Sequence, residues 1–76
     1  MRPFLEFVIR YLVEFPDEVL IREFPDGDST IFRLQMRRSD IPRVLGRHGH
    51  TLQAIRALLA SAAARHGHRA TLEILE

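Results

Sequence analysis

Seventy-six residues make one domain at most, and a chain of that size buries only about 60% of its unfolded surface, so its stability margin is small. With 46% hydrophobic residues and no apolar run of 18, the composition is that of a soluble globular protein, and the absence of cysteine excludes disulfide frameworks, thiolate nucleophiles and zinc ribbons. The net charge of +1 is unevenly spread: residues 1–36 hold four arginines against seven acids (−3), residues 37–68 six arginines against Asp40 alone (+5), and residues 69–76 Arg69 against Glu73 and Glu76 (−1).

Residues 3–14 read as the first helix. At 100° per residue Phe4, Val8, Tyr11, Leu12 and Phe15 share a face, with Glu6, Arg10 and Glu14 as an i,i+4 charge ladder opposite. Leu5, Phe7 and Ile9 widen the apolar face beyond what one small sheet covers, leaving some of it for solvent or a second subunit. The charges in this segment rule out the h-region of a signal peptide, and a cytoplasmic location is expected. Pro16 stops the helix at Phe15. Val19–Phe24 and Ser29–Met36 read as strands joined by the turn tetrad Pro25-Asp26-Gly27-Asp28. In the second strand Thr30, Phe32, Leu34 and Met36 alternate with Ile31, Arg33 and Gln35, so one face is buried and the other wet.

A short helix is expected from about Asp40 to Leu45, with Ser39 or Asp40 as N-cap and Pro42 in its first turn. Gly46–Gly49 break it. The next helix, about His50 to Arg65, turns Leu52, Ile55, Leu58, Leu59, Ala62 and Ala63 inward, carries Ala54, Ala57, Ala60, Ser61 and Ala64 on its back, and ends at Gly67. Arg69–Glu76 closes the chain as a third strand with Ala70, Leu72 and Ile74 inside. The order is αββααβ, an α+β domain without linkers; the tetrapeptide Arg-His-Gly-His occurs at 47–50 and 65–68 but makes no repeat architecture.

The segment with chemistry in it is Val44-Leu45-Gly46-Arg47-His48-Gly49-His50-Thr51-Leu52. Two glycines three apart permit a sharp turn and close approach to a ligand. The second opens a helix whose first N–H groups are unpaired and attract anions. Arg47 and His48 place charge at the tip, and Ile41, Leu45 and Leu52 offer an apolar floor for bases. Arg37, Arg38, Arg43 and His50 are the neighbouring cationic candidates. Arg56, two turns into the following helix, fits either a binding surface or an inert face.

This run resembles the signature of KH domains, in which two aliphatic residues precede G-x-x-G and another follows three residues later: Val44, Leu45, Gly46, Gly49 and Leu52 fill those positions. The resemblance covers the whole chain, 1–76, and implies a type II KH fold, with a three-stranded mixed sheet and helices packed on one face. It implies that single-stranded RNA is gripped between the loop and an apolar groove, with Arg47 in place of the family's usual lysine and His48 where many relatives carry another polar residue. In length and layout the chain is similar to the KhpA-like group of small bacterial single-KH proteins. That likeness implies self-pairing, a larger KhpB-like partner with its own KH domain, and RNA-chaperone or regulatory work connected with small RNAs, translation and cell shape.

Other chemistry is poorly supplied. The His-Gly-His pairs are two ligands each where structural metal sites usually use four, so no metal or other cofactor is expected. Ser39, Ser61, Asp40 and the histidines show no triad spacing, so neither catalysis nor a small-molecule substrate is expected. The alternative to RNA binding is a dimerisation or scaffold module whose loop is vestigial; the intact glycines and Arg47 favour RNA. A homodimer is expected through the alanine-rich back of the last helix, with Phe7 and Ile9 of the first adding apolar surface.

Overall fold

The alternating segment forms the centre of the sheet. In a computed structural model, which describes residues 1–75, strand β2 (Ser29–Gln35) buries Thr30, Phe32 and Leu34 and leaves Ile31, Arg33 and Gln35 on the opposite face. Strand β1 (Leu20–Asp26) pairs with it antiparallel, from Leu20 opposite Gln35 to Asp26 opposite Ser29, so the loop is only Gly27-Asp28. The turn is tighter than the tetrad suggested, and Pro25 is a strand residue. It is tolerated because the residues flanking a two-residue loop exchange hydrogen bonds, which turns the nitrogen of the next residue outward on an edge strand.

Strand β3 (Arg69–Ile74) lies parallel to β2 on its other side, with Ser29 opposite Arg69 and Leu34 opposite Ile74, giving a mixed sheet ordered β1-β2-β3. A parallel neighbour needs a crossover connection. Helices α2 (Ile41–Leu45) and α3 (His50–Ala64) provide it, and with α1 (Arg2–Leu12) they complete the αββααβ order of a type II KH fold. The expected end of the last strand, Glu76, lies outside the described residues.

The core joins Leu5 and Ile9 of α1, Val13, Val19, Ile21, Phe32, Leu34, Val44, Leu72 and the Leu52, Ile55 and Leu59 of α3. Each such side chain, fully buried, contributes about 1.5–3 kcal/mol. The outer sheet face stays open, with Leu20 and Phe24 42% and 41% exposed and the Arg33 guanidinium 4.7 Å above the Phe24 ring.

Two helices meet the core along narrower seams than the sequence suggested. On α1 the buried pair is Leu5 and Ile9, flanked by half-buried Phe4, Val8 and Leu12; Tyr11, expected inside, is 80% exposed and stacks beside Phe7 with ring centroids 6.3 Å apart. Ile9, expected to add to an intersubunit surface, is fully buried. On α3 the seam is Leu52, Ile55, Leu59 and Ala63, whereas Leu58 is 59% exposed and Ala62 also faces solvent. Where apolar residues surround most of a helix, periodicity admits several faces, and the sheet selects one of them.

Polar contacts fix α1. Arg2 donates to the Ile21 carbonyl at 2.6 Å and to Glu23 at 2.9 Å, while Arg10 bonds Glu6 at 3.0 Å and the Pro16 carbonyl. The C-terminus of α3 closes on Gly67, the His68 N–H reaching the Ala63 carbonyl at 2.9 Å and the Gly67 N–H that of Ala64 at 3.0 Å, the paired bonds of a Schellman motif.

Candidate nucleic-acid interface

The five-residue α2 and the fifteen-residue α3 are joined by a short bend, and the residues between them carry the unusual backbone. Gly46 adopts φ 72°, ψ −178°, a region occupied almost solely by glycine. A Cβ there would lie 2.1 Å from Thr51 Oγ1 and 2.6 Å from Thr51 Cβ, so the first turn of α3 occupies the space a side chain would need. His48 (φ 55°, ψ 26°) and Gly49 (φ 74°, ψ 10°) are both left-handed, and the Gly49 N–H donates to the Gly46 carbonyl at 3.2 Å. The result is a tight bend that ends directly in the first turn of α3.

That bend puts Arg47, His48 and His50 on the surface together, with the His48 and His50 rings 5.9 Å apart. Arg47 has no ion pair among the described residues. Beside the loop, Arg38, Ile41, Pro42 and Leu45 line an open groove of about 400 Å³. Of the three floor candidates, Leu45 is half-buried and borders this groove; Ile41, 8% exposed, shows only an edge; Leu52, 6% exposed, is directed into the hydrophobic core under the loop.

The basic segment is less free than its composition implied, because the acidic first part of the chain folds against it. Arg37 pairs with Glu18 and lies 3.7 Å over the Phe15 ring; hydrogen bonding to Glu18 raises its already high pKa. Arg43 sits 3.7 Å from Glu14 and 3.6 Å from Asp40. Arg56 donates from Nε to the carbonyl of Leu72 on β3 at 3.1 Å. Near the loop, the arginines without an acidic partner among the described residues are Arg38 and Arg47. Structure thus brings Gly46 to His50, Leu45, Ile41 and Arg38 together and ties Arg37 and Arg43 to the connection after α1.

One positioning residue escaped the sequence reading. Ser39 or Asp40 was expected to cap α2; Asp40 holds the N-cap position, but its carboxylate makes no cap bond and is fully buried: one oxygen accepts the Glu14 N–H at 2.9 Å, the other the Phe15 N–H at 3.1 Å. These bonds pin the chain after α1 to the helix that leads into the loop. The signal was present in the sequence as the single acid of an otherwise basic segment. Among the described residues no group of three or more His, Cys, Asp or Glu side chains could hold a metal ion, and no helix is long and apolar enough to cross a membrane.

A sequence profile of the family described as KhpA/KhpB, KH domain, matches residues 2–74. The chain belongs to that family. It is 41% identical over all 76 residues to the RNA-binding protein KhpA of Chlamydia pneumoniae, covering 97% of that protein. It is similar to the KhpA of Borreliella burgdorferi, 39% identical over 95% of this chain and 88% of the relative, and to that of Halalkalibacterium halodurans, 32% identical over the whole of both. No solved structure matches the chain significantly.

Proposed function

We propose that this KH domain binds single-stranded RNA, with the Gly46–Gly49 bend and the first N–H groups of α3 holding phosphates, Arg47 and His48 supplying charge, and bases lying along the groove beside Leu45. The observation that carries this reading is the bend itself: backbone restricted to glycine at Gly46, an exposed Arg47 without an acidic partner, and a helix N-terminus behind it. A vestigial loop would be free to lose that geometry and that charge. The similar proteins are named RNA-binding, which supports the same class of ligand.

The proposal extends to cellular role. A domain with one small groove holds RNA weakly, and pairing two grooves raises avidity. Self-association, through the exposed Ala54, Ala57, Ala60, Ser61 and Ala64 of α3, and association with a larger KhpB-like protein would each provide this. The chain would then act in the cytoplasm as an RNA chaperone or post-transcriptional regulator.

Replacing Arg47 and His48 together by aspartate tests the loop. Both side chains are exposed, so the fold should survive, while carboxylates facing phosphates should abolish RNA binding in a gel-shift titration. For the unaltered chain, three or four neutralised phosphates give a slope of about −2 to −3 for log K against log[salt], at roughly −0.7 per contact on a single strand. Unchanged affinity in the double variant, or a preference for duplex RNA, would assign binding to another surface.

A further inference from the structure

The outer face of the sheet, away from the helices, carries a pattern of charge that the fold itself does not use. The register that buries Phe32 and Leu34 turns Arg33 outward, and its direct partners, Arg22 on β1 and Glu73 on β3, share that face. The neighbouring row places Phe24 there, and the row at the hairpin end holds Asp26 and Arg69. The face thus has three arginines to two acids, with cations on both edge strands and Arg33 between them. Arg22 opposite Arg33 is a like-charge pair, which destabilises a sheet. Glu73 relieves only one member, taking the Arg33 Nε–H at 3.0 Å, while Arg22 and Arg69 have no acidic partner among the described residues. An anion bound over this row would offset the remaining repulsion.

The Arg33 guanidinium is also held as a surface. It lies 4.7 Å over the centroid of the Phe24 ring, is tethered by Glu73, and belongs to a side chain that is 41% exposed. A guanidinium plane backed by an aromatic ring is a platform of the kind on which unstacked bases lie. Phosphates and stackable bases joined in one chain are the chemistry of single-stranded nucleic acid. An acidic peptide would satisfy the arginines and leave the plane unused. The Gly46–Gly49 bend lies in the helical layer, so one strand meets both places only by passing around an edge of the domain. The smallest extent of the molecule is 19 Å, which at a stacked rise of about 3.4 Å takes about six nucleotides, and the loop itself holds about four. Strands shorter than about ten nucleotides therefore reach one place or the other, not both.

We propose that the outer sheet face is a second contact for single-stranded RNA, with a base stacked on the Arg33–Phe24 pair and phosphates on Arg22 and Arg69, engaged by long strands already held at the loop. The inference rests on the RNA-binding reading above, and strand length separates the two. Equilibrium titrations of the full chain with oligouridylates of eight and twenty nucleotides test it. Arg33→Lys keeps the charge and the pairing with Glu73 but not the plane. It should weaken binding of the long strand at least about fivefold, the lower range for one stacked base, and leave the short strand unchanged. Arg22→Gln should lower the salt slope of the long strand by about 0.7, one phosphate contact. It should also hold or raise the urea midpoint, because it removes the like charge opposite Arg33, whereas an arginine with a structural role would lower it. Long-strand affinity and salt slope unchanged in both variants, or equal weakening of both lengths by Arg33→Lys, overturns the sheet contact and returns this face to solvent or a protein partner; binding of the short strand then leaves the loop reading standing. Failure of the unaltered chain to bind either strand overturns the loop reading and the sheet contact with it.

Discussion

Gly46→Ala should be the most damaging single methyl group that can be added to the loop. At φ 72°, ψ −178° an alanine sits in a region that costs on the order of 1–3 kcal/mol. Its Cβ would lie 2.1 Å from Thr51 Oγ1, 2.6 Å from Thr51 Cβ and 3.0 Å from the Thr51 nitrogen, and forced overpacking of this kind costs about 1–3 kcal/mol more. The last contact is with backbone, so rotating the threonine does not relieve it. A domain of this size has about 4–11 kcal/mol of stability in all, at roughly 0.05–0.15 kcal/mol per residue. A combined loss of about 2–6 kcal/mol would lower the melting temperature by some 10 °C or more. Gly49→Ala is the control, because nothing lies within 4 Å of its added Cβ and only the left-handed backbone, about 1–2 kcal/mol, is charged against it. Urea unfolding of both variants, with Thr51→Ala to complete a double-mutant cycle at Gly46, measures the difference. Thr51→Ala removes only the Oγ1 contact, so partial relief is expected from it, and equal destabilisation by the two alanines would refute the steric argument.

Asp40→Ala removes both acceptors from the partly buried Glu14 and Phe15 N–H groups, at up to about 1–3 kcal/mol for each donor left unpaired, and should lower the urea midpoint more than Asp40→Asn, which keeps one acceptor; indistinguishable midpoints would remove the carboxylate from the account of the connection. The proposed self-association is measured by sedimentation equilibrium at micromolar concentration. A species of twice the 8.8 kDa chain mass, split by Ala57→Glu, is expected, and a single species at the chain mass would refute the dimer.

Much of this protein is local physics and was legible before any coordinates. The alternation at 29–36 defines one buried and one wet face because strand side chains repeat every second residue, and Phe32 and Leu34 are buried accordingly. The glycine pair at 46 and 49 marks a bend, and the αββααβ order follows from segment patterns read one at a time. The resemblance to KH domains rests on residues that are neighbours in the chain.

What the sequence left open depends on distances between segments far apart in it. The apolar periodicity of α1 allowed Tyr11 inside and Ile9 outside; docking on the sheet reversed both. Residues 37–68 carry +5 as a segment, yet Glu14 and Glu18 arrive from before the hairpin to occupy Arg43 and Arg37, so beside the loop Arg38 and Arg47 are left without an acidic partner among the described residues. Asp40 could not be distinguished from an ordinary helix cap until two backbone N–H groups 25 and 26 residues away closed on it. Arg56, which by its sequence fits a binding surface or an inert face, is tied to β3 by the Leu72 carbonyl that the fold brings beside it. Periodicity and turn chemistry act over a few residues and are written in order along the chain, whereas ion pairing and desolvation act through space, and only the fold sets which groups lie within reach of one another.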